Sequence, residues 1–236
     1  MSTLLLVRHG LTAMTGPVLA GRTPGVHLDE RGVKQAAAVA ERIAAVPLTA
    51  IVTSPLDRCL ETAGAIRDAQ IAAGREPDWQ VDPRIVECDY GDWTGRPFKE
   101  LMKEPMWKVV QGQPSAASFP GGEALTDMWA RATGAIRDWD KKLGDDAVWV
   151  ACAHGDIIKA IVADALGLHL DQYQRIVPDP CSVSVIRYTS TRPYVIRVND
   201  TGGDLAGFAP PKKRRRRTKA AEQDATIGGG AGGGSV

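Results

Sequence analysis

Nothing in the sequence approaches the run of about 18 apolar residues that a helical membrane span requires. The apolar stretch near its start, Leu4–Val7, is cut short by Arg8. It is also too short for the core of a secretory signal. Cysteine is sparse, and Cys59, Cys88, Cys152 and Cys181 show no CxxC spacing, which argues against a disulfide framework and a zinc ribbon. These four read as reduced thiols, and the protein as cytoplasmic. Net charge is nearly lacking too, at +1 over 236 residues. That balance hides an asymmetry. Residues 212–236 hold seven basic against two acidic residues, a net of +5, which leaves −4 on the rest. By bulk charge the body is no basic nucleic-acid binder, so any attraction for anions there must be local.

What is present is an ordinary globular composition, 44% hydrophobic and 24% charged, in a length suited to one sizeable domain. Apolar runs of strand length alternate with helical patterns. Thr3–Val7, Ala50–Thr53, Trp79–Val81 and Val148–Ala153 read as strands. Glu30–Val46, Asp57–Ala73, residues 124–143 and Asp156–Leu166 read as helices. The stripe Leu125, Met128, Trp129, Ala132, Ile136, Trp139 and Leu143 is core packing rather than a cofactor box. Ser182–Tyr188 and Tyr194–Val198 read as a closing strand pair joined at Arg192-Pro193. This alternation implies a layered α/β domain with a mostly parallel sheet. The closing pair would set one antiparallel strand at an edge, and an edge strand offers a surface for a homodimer.

Two segments break the rhythm. Residues 88–123 are rich in glycine and proline and carry Tyr90, Trp93 and Phe98; a long irregular insert of this kind reads as a lid over a site. Beyond Gly207 the composition shifts to Ala209-Pro210-Pro211, six consecutive basic residues and the glycine run at 228–234. The folded domain is therefore expected over 1–208, and 209–236 as a disordered basic and Gly-rich tail.

The chemistry begins where the first strand ends, at Arg8-His9-Gly10. A strand end in an open α/β sheet lies at the rim where ligands bind. There the sequence sets a permanent cation beside a nucleophilic imidazole, which suits an anionic substrate and phosphate above all. The arrangement returns after the strand Val148–Ala153 as His154-Gly155, and Thr53-Ser54-Pro55-Leu56-Asp57-Arg58 puts an arginine at a helix start. Arg84-Ile85-Val86-Glu87 then leads into Tyr90-Gly91-Asp92-Trp93. Taken singly, Arg8 or Arg58 reads as a surface ion-pair partner, His9 as a core histidine and Glu87 as a solvated carboxylate. His27 and His169 lack metal-ligand spacing, so no metal or other cofactor is expected. Asp156 reads as a cap for the helix that follows His154.

As a set, Arg-His-Gly, Thr-Ser-Pro-x-x-Arg, Glu-x-x-Tyr-Gly-x-Trp-x-Gly and a second His-Gly resemble the histidine phosphatase superfamily, the phosphoglycerate-mutase-like proteins, over roughly residues 3–200. The resemblance implies a three-layer α/β/α sandwich with a mostly parallel, mixed central sheet. It implies His9 as the nucleophile that becomes phosphorylated, with Arg8, Arg58 and His154 cradling the phosphoryl group. Glu87 would be the proton donor, with Asp89 and Asp156 as competitors for that role. Gly21-Arg22 and Leu28-Asp29-Glu30-Arg31-Gly32 look like the segment that leads into the family's first helix, and Arg22 and Tyr90 are candidate substrate contacts.

Where many mutases of this family carry Glu after Arg-His-Gly and an Asn a few residues later, this chain has Leu11 and Thr15. Thr15 is the candidate phosphate ligand at that place. The stretch Glu87–Arg96, the segment Phe119-Pro120-Gly121-Gly122-Glu123 and an insert without paired arginines are more similar to the phosphatase branch. The expected activity is therefore a metal-independent, acid-phosphatase-like phosphomonoester hydrolase acting on a small molecule, ahead of a phosphoglycerate or sugar phosphomutase. A third reading is a weakly catalytic module held on an anionic membrane or nucleic acid by its basic tail. Cys181-Ser182-Val183-Ser184-Val185-Ile186-Arg187 has the cysteine–arginine separation of cysteine-dependent phosphatases. It lacks a glycine-rich turn and reads as a strand.

Overall fold

A computed structural model describes residues 1–202. The basic and glycine-rich tail expected over 209–236, the domain boundary at 208 and any membrane or nucleic-acid contact of that tail lie outside the described residues. Among those described, no helix is long and apolar enough to cross a membrane.

Strands β1 (Ser2–Arg8), β2 (Ala50–Thr53), β3 (Asp78–Val81), β4 (Val148–Ala153), β5 (Val183–Tyr188) and β6 (Pro193–Asp200) form one sheet in the order β3-β2-β4-β1-β5-β6. The first four run parallel, while β5 is antiparallel to both β1 and β6. The antiparallel strand therefore sits one place in from the edge. This differs from the edge position expected for it from sequence: the short turn after Tyr188 forces a reversal, which returns β6 to the direction of β1 as the outermost strand. Tyr194, Ile196 and Val198 of β6 are exposed.

Two helices cover each face. Leu5, Val7, Ile51, Val150 and Cys152 pack with α1 (Glu30–Ala44) and α2 (Asp57–Ala72). Leu4, Leu6, Ala50, Val52, Trp149 and Ala151 point the other way, into α5 (Leu125–Leu143) and α6 (Gly155–Ala165). Alternation along a strand sends neighbours to opposite faces, and both faces are apolar because both are covered. The result is the expected three-layer sandwich.

The insert, read from sequence as a lid, supplies Tyr90 and Phe98 to a cleft and is also packed into the core. It contains α3 (Phe98–Leu101), α4 (Pro105–Gly112) and short 3-10 turns, and Tyr90, Trp93, Leu101, Val110 and Phe119 belong to the main core. Tyr90 meets Phe119 edge-on at 5.0 Å, and Trp93 stacks with Trp107 at 6.3 Å. Large aromatic side chains supply the burial that this irregular backbone would otherwise lack. Residues 118–124 are clasped to the same segment, with Asp92 N–H donating to the Pro120 carbonyl at 2.8 Å and Glu123 N–H to that of Asp89 at 3.0 Å.

The loop after β1 lies directly on the first turn of α1. A β-carbon on Gly10 would stand 2.8 Å from the Gly32 carbonyl oxygen, and one on Gly32 would collide with the Leu11 carbonyl. Asp29 caps that helix, accepting from Gly32 N–H at 2.8 Å. Gly32→Ala should therefore destabilise the fold by about 1–3 kcal/mol in denaturant unfolding. Gly64→Ala, in α2 with nothing within 4 Å of the added carbon, should stabilise it by about 0.5–1 kcal/mol. A Gly32→Ala protein as stable as the parent would contradict the close backbone contact.

Candidate active site

Strand register gathers the site. Arg8 of β1 pairs with Ala153 of β4, and His9 N–H donates to the Ala153 carbonyl at 3.0 Å. Thr53 of β2 pairs with Cys152, and Ser54 N–H donates to the Cys152 carbonyl at 3.0 Å. His9, His154 and Ser54 thus leave three neighbouring parallel strands at one rim. Helices α2 and α6 begin there as well, at Asp57 and Gly155, so the positive ends of two helix dipoles add to the local potential.

His9 is buried and its tautomer is fixed. Nδ1 lies 2.8 Å from the Gly10 carbonyl, which only accepts, so Nδ1 carries the proton and the Nε2 lone pair is the nucleophilic one. Arg58 Nε donates to that Nε2 at 3.3 Å. Burial first, then the charges of Arg58 and Arg8, hold His9 well below the usual histidine range, so it is neutral at physiological pH. Arg58 is itself buried; its Nη2 reaches the Gly21 carbonyl at 2.7 Å and His154 Nδ1 at 3.3 Å, while Nη1 is buried with no hydrogen-bond partner. An unmet guanidinium donor against a cleft is what an anion would satisfy. Arg8 lines the same cleft, with Nη1 on the Pro178 carbonyl at 2.9 Å.

His154 does not line the cleft. It is 0% exposed and packs edge-on against His9, with ring centroids 5.2 Å apart. Because Nδ1 accepts from Arg58, Nε2 donates to Ser54 Oγ at 2.7 Å. Burial and Arg58 keep this ring neutral also. In this arrangement it props Arg58 and the His9 ring from behind.

Of the three carboxylates weighed from sequence, Glu87 alone lines the cleft. Its carboxyl accepts from Cys88 N–H at 2.9 Å, and its pKa is pushed up to about 7, mainly by burial and next by the charge of Asp156. Asp89 instead pairs with Arg22 at 3.3 Å. Asp156 is not a helix cap: His154 occupies the cap position, and Asp156 is buried with Lys159 Nζ at 3.0 Å and the Tyr90 hydroxyl at 2.6 Å. Lys159 Nζ also donates to Gln174 Oε1 at 2.9 Å. Tyr90 lines the cleft, so a buried lysine–aspartate pair is tied through it to the wall. Sequence reasoning missed Lys159, although a lysine three residues after Asp156 in an otherwise apolar helix was the available signal.

Arg22, expected to touch substrate, does not reach the cleft. Its three donor nitrogens are committed to the Glu87 carbonyl at 2.8 Å, Asp89 at 3.3 Å and Glu123 at 3.0 Å. Arg131, unforeseen, grips the same Glu87 carbonyl at 3.1 Å and the Val86 carbonyl at 2.8 Å. Two arginines thus fix the backbone that carries the acid. Thr15 does line the cleft, its Oγ1 accepting from Thr12 N–H at 3.0 Å, and Thr12 lies beside it. Val18, Leu19, Ala20 and Phe98 complete the wall of a cleft of about 410 Å³, mouth included. Cys181 is off the cleft, its thiol pushed up to about 12 by burial, and Arg187 lies at the far end of β5 opposite Thr3.

The model of the histidine phosphatase superfamily (branch 1) matches residues 4–201. Phosphoserine phosphatase 1 of Hydrogenobacter thermophilus is 31% identical over 207 residues, covering 85% of this chain and 93% of its own. The probable phosphoglycerate mutase GpmB of Cronobacter sakazakii is 31% identical over 212 residues, covering 87% of this chain and 94% of its own. Among solved structures, YhfR of Bacillus stearothermophilus superposes with a TM-score of 0.77 at 27% identity, over 85% of this chain and 98% of that one. Fold, strand-end histidines and sequence agree: the chain belongs to the histidine phosphatase superfamily.

Proposed function

We propose that the protein is a phosphomonoester hydrolase that works through a phosphohistidine on His9. The observation that carries this reading is the pairing, in one cleft, of a neutral His9 whose free nitrogen is Nε2 with a Glu87 carboxyl raised to about 7. Arg8 and Arg58 supply the positive charge that phosphoryl transfer needs on its three peripheral oxygens. His9 Nε2 attacks phosphorus as the ester P–O bond breaks, and the leaving oxygen takes the proton of Glu87. Water then attacks the phosphohistidine, returns a proton to Glu87 and releases phosphate as the P–N bond breaks. His154 and Thr15 act beside this centre, the first by holding Arg58 and the second from the cleft wall.

Hydrolysis is favoured over mutase chemistry by what surrounds the phosphate site. Among the described residues Arg8 and Arg58 are the only cations that line the cleft, and none of these lining residues offers a further charge to hold a phosphoglycerate for return of its phosphoryl group. Leu11 and Thr15 point the same way. The mutase-named relative keeps the alternative open to one direct comparison, the rate of phosphoglycerate isomerisation against that of phosphate release.

His9→Ala should lower phosphate release from a panel of phosphomonoesters by at least about 10³-fold, and a chelator should leave the parent unchanged. Full activity in His9→Ala, or isomerisation outrunning release in the parent, would overturn the reading. Glu87→Gln should cost about 10²–10⁴-fold on alkyl phosphates and less on aryl phosphates, whose leaving groups need the proton less. An equal loss on both classes would count against the acid role.

Because Glu87 must start protonated, kcat/KM should decline above a pH of about 7. Asp156→Asn with Lys159→Met, which removes both members of the buried pair together and leaves no lone charge, takes away one of the causes that raise Glu87. The alkaline limb should then move to lower pH. A pH–rate profile unmoved by the double substitution would sever Asp156 from the acid.

A further inference from the structure

We infer that this cleft selects phosphomonoesters whose leaving alcohol bears no second anionic group, with Val18, Leu19 and Phe98 setting the preference. The inference rests on the phosphomonoesterase reading and extends it to substrate class. Besides Arg8, His9, Arg58 and Glu87, the described lining of the cleft is Val18, Leu19, Ala20 and Phe98 with two glycines, and its hydroxyls come from Thr12, Thr15 and Tyr90. Tyr90 donates its proton to Asp156, and Thr15 Oγ1 is shared with Thr12.

Of the cations close to this wall in sequence, Lys99 follows Phe98 but is exposed and does not line the cleft, and the two arginines are engaged elsewhere. Arg22 is held by Glu87, Asp89 and Glu123, and Arg96 by Glu104 at 2.6 Å. A carboxylate on the leaving group would therefore lose its hydration against apolar side chains, and no described residue of that wall carries a counter-charge to replace it. It would also approach Glu87, which becomes an anion once its proton has gone to the leaving oxygen. An aryl group or a neutral polyol carries neither penalty.

The wall is built to stay in place. Val18 bridges to Pro97 as in an antiparallel pair, and Leu19 N–H donates to the Arg96 carbonyl at 3.0 Å. Gly95 N–H returns a bond to the Leu19 carbonyl at 2.8 Å, and Phe98 N–H donates to that of Pro17 at 3.2 Å. Two loops distant in sequence are thus stitched edge to edge, so a charged ligand cannot cheaply push the apolar lining aside.

Matched pairs test this: glycerol 1-phosphate against 3-phosphoglycerate, and phenyl phosphate against 4-carboxyphenyl phosphate. Binding of each to the His9→Ala protein by titration calorimetry reads the wall alone, without chemistry. The uncharged member of each pair should bind about ten-fold more tightly or better, and Val18→Arg in the same background should narrow or reverse the gap. Equal binding within pairs, tighter binding of the carboxylates, or no binding of any of the four overturns the inference. Turnover of the same compounds by the parent is scored separately. Selective binding without hydrolysis by the parent would sink the phosphomonoesterase reading and leave the selectivity standing.

Discussion

The site depends on one buried guanidinium. Arg58 stands on the first turn of α2 and reaches His9 Nε2, His154 Nδ1 and the Gly21 carbonyl, so it joins three otherwise separate parts of the chain. A cation at a helix N-terminus opposes the helix dipole, and burying it adds a desolvation cost. Neutral imidazoles and a carbonyl take its Nε and Nη2 donors without neutralising it, and leave Nη1 unmet. The positive charge therefore remains for a ligand, and after burial it is the next largest cause that keeps both rings unprotonated.

A second, opposite field acts on Glu87. Burial and Asp156 favour its protonated form, while Arg8 and Arg58 pull the other way, and the balance settles at about 7. Lys159 pairs with Asp156 at 0% exposure, and the Tyr90 hydroxyl ties that pair to the cleft. The backbone of the acid is held separately by Arg22 and Arg131. Nucleophile and acid are thus tuned in opposite senses, His9 by burial and the arginines beside it and Glu87 by burial and Asp156.

Much of this was legible in the chain because it is local. Arg8-His9-Gly10 and His154-Gly155 each follow a short apolar run, and a parallel sheet brings such ends to one rim whatever its strand order. The six strands and the four helices that cover the sheet were readable from periodicity to within a residue or two, whereas the short α3 and α4 inside the insert were not. What was not legible depended on distant partners. Arg22 reads as a substrate contact beside Gly21 until Asp89 and Glu123 are seen to hold it. Asp156 reads as a cap until Tyr90, 66 positions away, is found on its carboxylate. The insert reads as a lid because its aromatic residues follow no period, and only packing shows them to be core.

The central claim is that His9 carries the phosphoryl group between two half-reactions. Rapid quenching of the parent during turnover of a phosphomonoester, under basic conditions that spare phosphohistidine, followed by peptide mass spectrometry, tests it directly. The account predicts one labile phosphoryl group on the peptide containing His9, formed and lost at rates compatible with turnover. Steady release of phosphate with that peptide never phosphorylated would contradict it.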